Sequence, residues 1–189
     1  MTEIDFAEVP ILVTERLRLR PWKKSDLEPY IAMGADKEVM KFFPECLDRA
    51  KSLDHVRDLQ DRFRQWGYGY WAVESEDVPF AGWVGLSQLR IDADFAPCVE
   101  IGWRLARSAW GQGYASEGAI AALRFGFENH SLNEIVAVVS IANEPSCRVA
   151  ERIGMTRNPS DDFDYPNEWE YKACALYRIT REKFMSMAV

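Results

Sequence analysis

Apolar residues recur along this chain at two different periods. Around Arg16-Leu-Arg-Leu-Arg20 they alternate with arginines, the period of a strand with one apolar face, and Pro21 ends it. Ser25 or Asp26 then stands in place to cap a short helix running to about Met33. Over 47–66 the period changes. Ala50, Leu53, Val56, Leu59, Phe63 and Trp66 recur at three- and four-residue steps, charged residues fill the other faces, and the longest helix is predicted there. His55 lies among those charges and reads as a solvated helix residue. Gly67-Tyr-Gly69 breaks the helix. Residues 70–74 and 81–90 read as strands joined by an acidic turn at Asp77-Val-Pro79, and a third strand follows over 99–105. Gly102 inside that strand marks a bulge or a close backbone approach.

The second half alternates the same two periods. A helix is predicted over 116–129, with Ile120, Leu123 and Phe127 buried, Glu117 complementing the dipole in the first turn, and His130 doing so at the far end. Residues 134–141 hold a nearly continuous apolar run, the mark of a buried central strand. Asn143-Glu-Pro145 opens another helix, Val149, Ala150 and Ile153 face inward, and Gly154 stops it. Asp161, Asp162 and Asp164 form an acidic loop, and 173–179 is a last strand. The order strand, helix, helix, three strands, helix, strand, helix, strand predicts an α/β fold with a mixed sheet and helices on both faces.

Composition narrows the function. At 189 residues, 48% of them hydrophobic, residues 1–189 read as one domain with a substantial core. A formal charge of −7 argues against a nucleic-acid binder and favours an amine-bearing partner. Cys46, Cys98, Cys147 and Cys174 form no CxxC pair, and with only His55 and His130 beside them no metal site is expected. Scattered cysteines read as thiols of a reducing compartment. Acids at Glu3, Asp5 and Glu8 argue against a secretory signal, and no apolar run approaches the ~18 residues of a membrane span. The expectation is a cytoplasmic protein, monomer or homodimer, with no membrane partner.

The candidate chemistry lies at Trp110-Gly-Gln-Gly-Tyr-Ala-Ser116, between a strand and a helix. Gly111, Gly113 and Ala115 are small at alternate positions, so the backbone turns tightly before a helix N-terminus with unpaired amides, a setting for a phosphate or simply a tight turn. No Lys lies in 110–117, which excludes a P-loop, and Ser116 stands where a dinucleotide fingerprint needs Gly.

Here the chain resembles the GNAT superfamily of N-acetyltransferases, and within it the RimJ/RimL-like branch, which includes ribosomal-protein N-terminal acetyltransferases. Leu12-Val-Thr-Glu-Arg-Leu-Arg-Leu-Arg20 is similar to the branch's first strand. Glu100-Ile-Gly-Trp103 with Trp110-Gly-Gln-Gly-Tyr-Ala-Ser-Glu117 is similar to its acetyl-CoA motif, and Asn143-Glu-Pro-Ser146 with Arg148 and Ile153-Gly-Met155 to the next. The likeness covers about residues 10–180. Trp110 departs from the usual Gln or Arg of the superfamily pattern. The resemblance implies a mostly antiparallel mixed sheet splayed in the middle, with acetyl-CoA as co-substrate and no metal. Trp103, Arg104 and Leu105 would pair with the pantetheine arm. Trp110, Gly111, Gln112, Gly113, Tyr114, Ala115 and Ser116 would hold the pyrophosphate.

A neutral amine must attack the thioester, so a base is needed, and Glu100 is the candidate, against the alternative of an exposed or ion-paired strand carboxylate. The place of the tyrosine acid of many GNAT enzymes looks like Ala150, which cannot serve. Ser146 takes that role in the branch resemblance, with Asn143 holding the pantetheine or a water, although both residues also suit a helix start. Cys147 reads as a small buried residue. Most aromatics read as core, Trp66, Tyr70, Trp71 and Trp83 included, while Phe42, Phe43 and Tyr68 are candidates for an acceptor groove. The acidic run 161–164 is either a solvated loop or an attractor for a cationic amine. The competing reading is a module that binds CoA without turnover.

Overall fold

The computed structural model describes residues 4–166 and 170–187. Residues 167–169, inside the expected 10–180 core, and both ends of the 1–189 span lie outside the described residues. The elements follow the two periods. β1 (Leu12–Val13), β2 (Leu17–Arg20), α1 (Leu27–Ala35) and α2 (Arg49–Trp66) precede the hairpin strands β3 (Tyr70–Ser75), β4 (Gly82–Leu89) and β5 (Cys98–Leu105). Then come α3 (Tyr114–Asn129), β6 (Glu134–Ser140), α4 (Glu144–Arg152), β7 (Thr156–Arg157), β8 (Phe163–Asp164), β9 (Ala173–Thr180) and α5 (Arg181–Ser186). Every predicted helix and strand is present. The elements not predicted are β1, β7, β8 and α5. Two-residue strands show no alternation, and α5 is a six-residue helix whose only signal is Thr180, which accepts from the Lys183 amide.

The sheet runs β1-β2-β3-β4-β5-β6-β9-β7, with β8 also on β9. Each neighbouring pair is antiparallel except β5 and β6. Side chains alternate across it and build a core on each face. Leu19, Trp71, Val84 and Ile101 pack under α3 with Phe63 of α2, while Ala72 and Trp83 join Tyr30, Val56 and Leu59 of α1 and α2. Helices therefore cover both faces, as expected. β4 and β5 pair without interruption from Gly82↔Leu105 to Leu89↔Cys98, so Gly102 is not a bulge. It is a close approach instead, since a Cβ there would lie 3.1 Å from the Tyr70 hydroxyl.

One predicted cap has a different job. Asp26 precedes α1, yet its carboxylate makes no bond to the helix. It is 1% exposed and takes a two-pronged bond from Arg20, at 2.7 and 2.9 Å, while Arg20 Nε donates to Glu74 at 2.6 Å. The Lys23 amide completes the cluster at 2.9 Å. This pins α1 to β2 and β3. Removing one partner would leave a buried guanidinium half satisfied, so Asp26→Ala should lower unfolding stability by roughly 3–5 kcal/mol in a urea titration. A loss near the ~1 kcal/mol of an ordinary cap would show that the ion pair is not the dominant contribution.

Candidate active site

β5 and β6 share one register pair, Glu100 with Val136, and beyond it they diverge. The divergence opens a cleft of about 1030 Å³ between the end of β5, the glycine turn and the start of α4. Trp103, Arg104, Leu105, Asn143 and Ser146 line it, with Glu100 at its base. Trp110, Gly111, Gly113, Tyr114, Ala115 and Ser116 line the glycine-turn side. Gln112 does not line it. That residue is exposed, and its carbonyl accepts from Arg16 at 2.9 Å on the outer side.

The glycine turn is shaped by backbone conformation. Gly111 and Gly113 have φ of 74° and 79°, the left-handed region that L side chains rarely adopt, and a Cβ on Gly111 would touch nothing. Gly113 caps α3 without any side-chain bond, which leaves first-turn amides open to the cleft. Ser116 Oγ is buried there with no partner among the described residues. Arg16 clamps the turn from behind. It pairs with Glu117 at 2.6 Å, its backbone amide also donates to Glu117, and Thr14 adds a 2.6 Å bond to the same carboxylate. These bonds hold the Glu117 carboxyl below its ordinary range against the opposing effect of its burial. Trp110 is half exposed, and its indole donates to the Leu105 carbonyl at 2.8 Å, tying the turn to the end of β5.

Across the cleft, Asn143 caps α4, its side chain accepting from the Ser146 amide at 3.3 Å. Ser146 Oγ accepts from the Trp103 indole at 3.4 Å, a bridge over the divergence. Ala150 is fully buried in the core, so no side chain there faces the cleft. Cys147 is partly buried and directs its thiol at the Ser140 carbonyl.

Glu100 is partly buried. Burial pushes its carboxyl up to about 7, against the lowering effects of the Tyr70 hydrogen bond and the Arg62 charge. The Tyr70 hydroxyl donates to Glu100 Oε1 at 3.2 Å, and behind it Arg62 donates to Ser87 Oγ. Among the described residues Glu100 forms no ion pair, so the reading of it as an ion-paired strand carboxylate does not hold. Tyr165 lines the same cleft, its phenol raised first by burial and then by the Glu100 charge.

Several expectations need correction. His55 is not a solvated residue: its Nδ1 bonds the Tyr30 hydroxyl, and burial, then the charges of Arg104 and Arg62, lower it to about 3. Tyr68 is not in the groove but in the core, where its hydroxyl accepts from Gln88 at 2.6 Å and its ring meets His130 edge-on. Phe42 and Phe43 do line the cleft. The acidic run lies outside the cleft, and its carboxylates have basic neighbours. Asp162 bonds Arg157, while Asp161 and Asp164 lie 3.5 and 3.6 Å from Arg178 and Lys172. Tyr70 and Trp83 are buried as expected, yet both also line the cleft. The sequence signal that would have found Tyr70 is Gly102, whose missing side chain makes room for the ring.

The Acetyltransferase (GNAT) domain family matches residues 16–156. The Bacillus subtilis (strain 168) protein YkkB, described as uncharacterized, is 32% identical over 146 residues, covering 76% of this chain and 84% of that protein. An Aspergillus fumigatus protein named FsC-acetyl coenzyme A-N(2)-transacetylase is 29% identical over 188 residues, covering 94% and 79%. Among solved structures, an acetyltransferase from Agrobacterium tumefaciens str. C58 superposes with a TM-score of 0.76 at 27% identity, covering 95% of this chain and 99% of that one.

The electrostatics of Glu100 are directly measurable. Its carboxyl carbon should titrate in NMR with a midpoint near 7. A folded-state pKa raised above the unfolded one favours the protonated form in the fold. That relative stabilisation is full below about 4.5 and is lost as the pH rises through about 7. Glu100→Gln should therefore be more stable than the parent at pH 8.5, by about 1–3 kcal/mol, and nearly equal to it at pH 4.5. An equal difference at both pH values would show that the carboxyl is not shifted.

Proposed function

Because the chain belongs to the GNAT family of acetyltransferases, we propose that it moves an acetyl group from acetyl-CoA to a primary amine by direct attack in a ternary complex. The observation that carries this reading is the single β5–β6 pair at Glu100, where strand divergence, the glycine turn and a carboxyl shifted to about 7 meet. Donor chemistry fits the residues around it. First-turn amides of α3 with the unpartnered Ser116 hydroxyl suit a pyrophosphate, and the diverging backbone at Trp103, Arg104 and Leu105 suits an amide-bearing arm added like a strand. The name of the Aspergillus relative, which includes acetyl coenzyme A, supports the donor. The order of motifs supports the RimJ/RimL-like branch. We take residues 1–189 as one domain, and the four free thiols support a reducing, cytoplasmic setting. No helix among the described residues is long and apolar enough to cross a membrane.

In this mechanism Glu100 accepts a proton from the incoming ammonium, directly or through water. An α-ammonium loses its proton at about 7.7–8.0 and a lysine-like ammonium at about 10.4, and a carboxyl near 7 is in its proton-accepting form throughout the range where the neutral amine grows. The amine nitrogen then bonds the acetyl carbon, the C–S bond breaks, and the second N–H proton passes to the departing thiolate by way of the Ser146 hydroxyl, beside Asn143, giving the amide and the CoA thiol. Tyr70 orients the carboxylate through its 3.2 Å bond. The charge on the carbonyl oxygen develops beside backbone amides at the end of β5.

A thiol-release assay with acetyl-CoA and a panel of amines tests the reading. Rate should rise with pH to a plateau with a midpoint near 7. Glu100→Gln should reduce kcat by about 100-fold or more while leaving CoA affinity nearly unchanged, and Ser146→Ala should cost about 10-fold. CoA binding without thiol release for any amine would instead support the non-catalytic binding module.

A further inference from the structure

Beside the donor cleft lies a second, smaller cavity of about 390 Å³ that meets it at Glu100, Tyr70, Trp83 and Arg104. Its walls come from α2, from the loop after α1 and from the α2-facing side of β3, β4 and β5. It contains two guanidiniums, Arg62 and Arg104. Among the described residues neither forms an ion pair. Arg104 is 6% exposed, and its Nε is buried without a partner among the described residues. Its other nitrogens donate only to neutral groups, the Tyr30 hydroxyl at 2.7 Å and the Met40 sulfur at 3.0 Å. The guanidinium is instead sandwiched by aromatic faces, 4.8 Å from the Phe43 ring centre and 5.2 Å from that of Trp83. Cation–π contact offsets only part of the cost of burying a charge. Glu45 lines the cavity but is engaged by Lys51, and His55 brings no charge because it is held neutral.

We propose that this cavity receives the acceptor and that the acceptor is a small amine carrying a carboxylate at its far end, with the amine at Glu100 and the carboxylate neutralising Arg104. The inference rests on the acetyl-transfer reading and names its substrate class. Glu100 and Arg104 point to the same face of β5, four residues and therefore about 13 Å apart at Cα. A substrate that touches both needs a spacer between its two charges, and the rings of Tyr70, Trp83 and Phe43 offer that spacer an apolar wall. Arg62 adds positive potential along the way, so a polycation is repelled from the site. The cavity has the volume of a small-molecule pocket rather than of a peptide groove. The overall charge of −7, which favours cationic amines at long range, does not describe this local field.

The test uses the whole chain with acetyl-CoA and matched acceptors: glycine, 4-aminobutanoate and 6-aminohexanoate, each beside its carboxamide, with spermidine as the polycation. Thiol release should favour the longer carboxylates over their carboxamides by at least ~10-fold in kcat/KM, with glycine and spermidine poor. Arg104→Met should bring that ratio close to one. It should also keep or raise the melting temperature, because an apolar side chain replaces an unpaired buried charge. The same ligands are titrated calorimetrically against the CoA-bound protein, where the longer carboxylates should again bind at least ~10-fold more tightly. Turnover without preference for carboxylates, preference for spermidine, or retained preference in Arg104→Met overturns the proposal and leaves acetyl transfer standing. Selective carboxylate binding without any thiol release overturns acetyl transfer and leaves the anion pocket standing. Should Arg104→Met fail to fold, the wild-type ratios alone decide.

Discussion

Two parallel strands that touch at one residue pair organise this molecule. A sheet normally satisfies each strand's amides through its neighbours, and the other interior strands here do so over several register pairs. β5 has that satisfaction on the β4 side along its full length, but on the β6 side only at Glu100. The rest of its second edge faces a cleft. The sheet can tolerate this because each half has its own packing. β4 and β5 are backed by α3, and β6 pairs with β9 over seven residues. Separation of the strands thus costs one stretch of ladder rather than the integrity of the sheet.

The same divergence sorts the chemistry onto opposite sides of β5. At the glycine turn itself the groups are neutral dipoles, open helix amides, a hydroxyl and an indole, with Arg148 and Arg152 across the cleft on α4. Toward α2 they are ionisable and poorly solvated: Glu100 raised by burial, Arg104 lowered by it, His55 held neutral. Alternation along one strand accomplishes this sorting, since Ile101 and Leu105 enter the α3 core while Glu100 and Arg104 emerge on the other face. A one-residue slip of β5 would exchange the two sets, which is why its long uninterrupted ladder with β4 matters for the site as much as for the fold.

Elements were legible in the sequence wherever a period ran long enough to be counted. α2 shows one apolar stripe over eighteen residues, and β6 is an apolar run that only a central strand requires. The glycine turn and Asn143 were legible because local chemistry dictates them: φ above zero at Gly111 and Gly113, and a cap at Asn143. The α2-facing pocket was not. Tyr70 and Trp83 sit in strands with the spacing of ordinary core residues, and His55 occupies a helix position flanked by charges. What makes them a site is the juxtaposition of α1, α2 and β5, a tertiary fact with no local trace. Asp26 teaches the same lesson: its position matched a cap, while a partner six residues earlier claimed the carboxylate.

The clamp of Arg16 on Glu117 bears on the order in which the molecule assembles. The two residues are 101 positions apart, so the glycine turn acquires its rear support only when the first part of the chain meets the middle. Closing so long a loop carries an entropic cost that local contacts cannot repay early, and the hairpins β3-β4-β5 can form well before it. As the chain leaves the ribosome, Arg16 emerges long before Glu117 and must wait for its partner. The anion-facing turn therefore gains its rear support only after the β3-β4-β5 hairpins can form, and a nascent chain presents that half of its sheet before it presents a clamped turn.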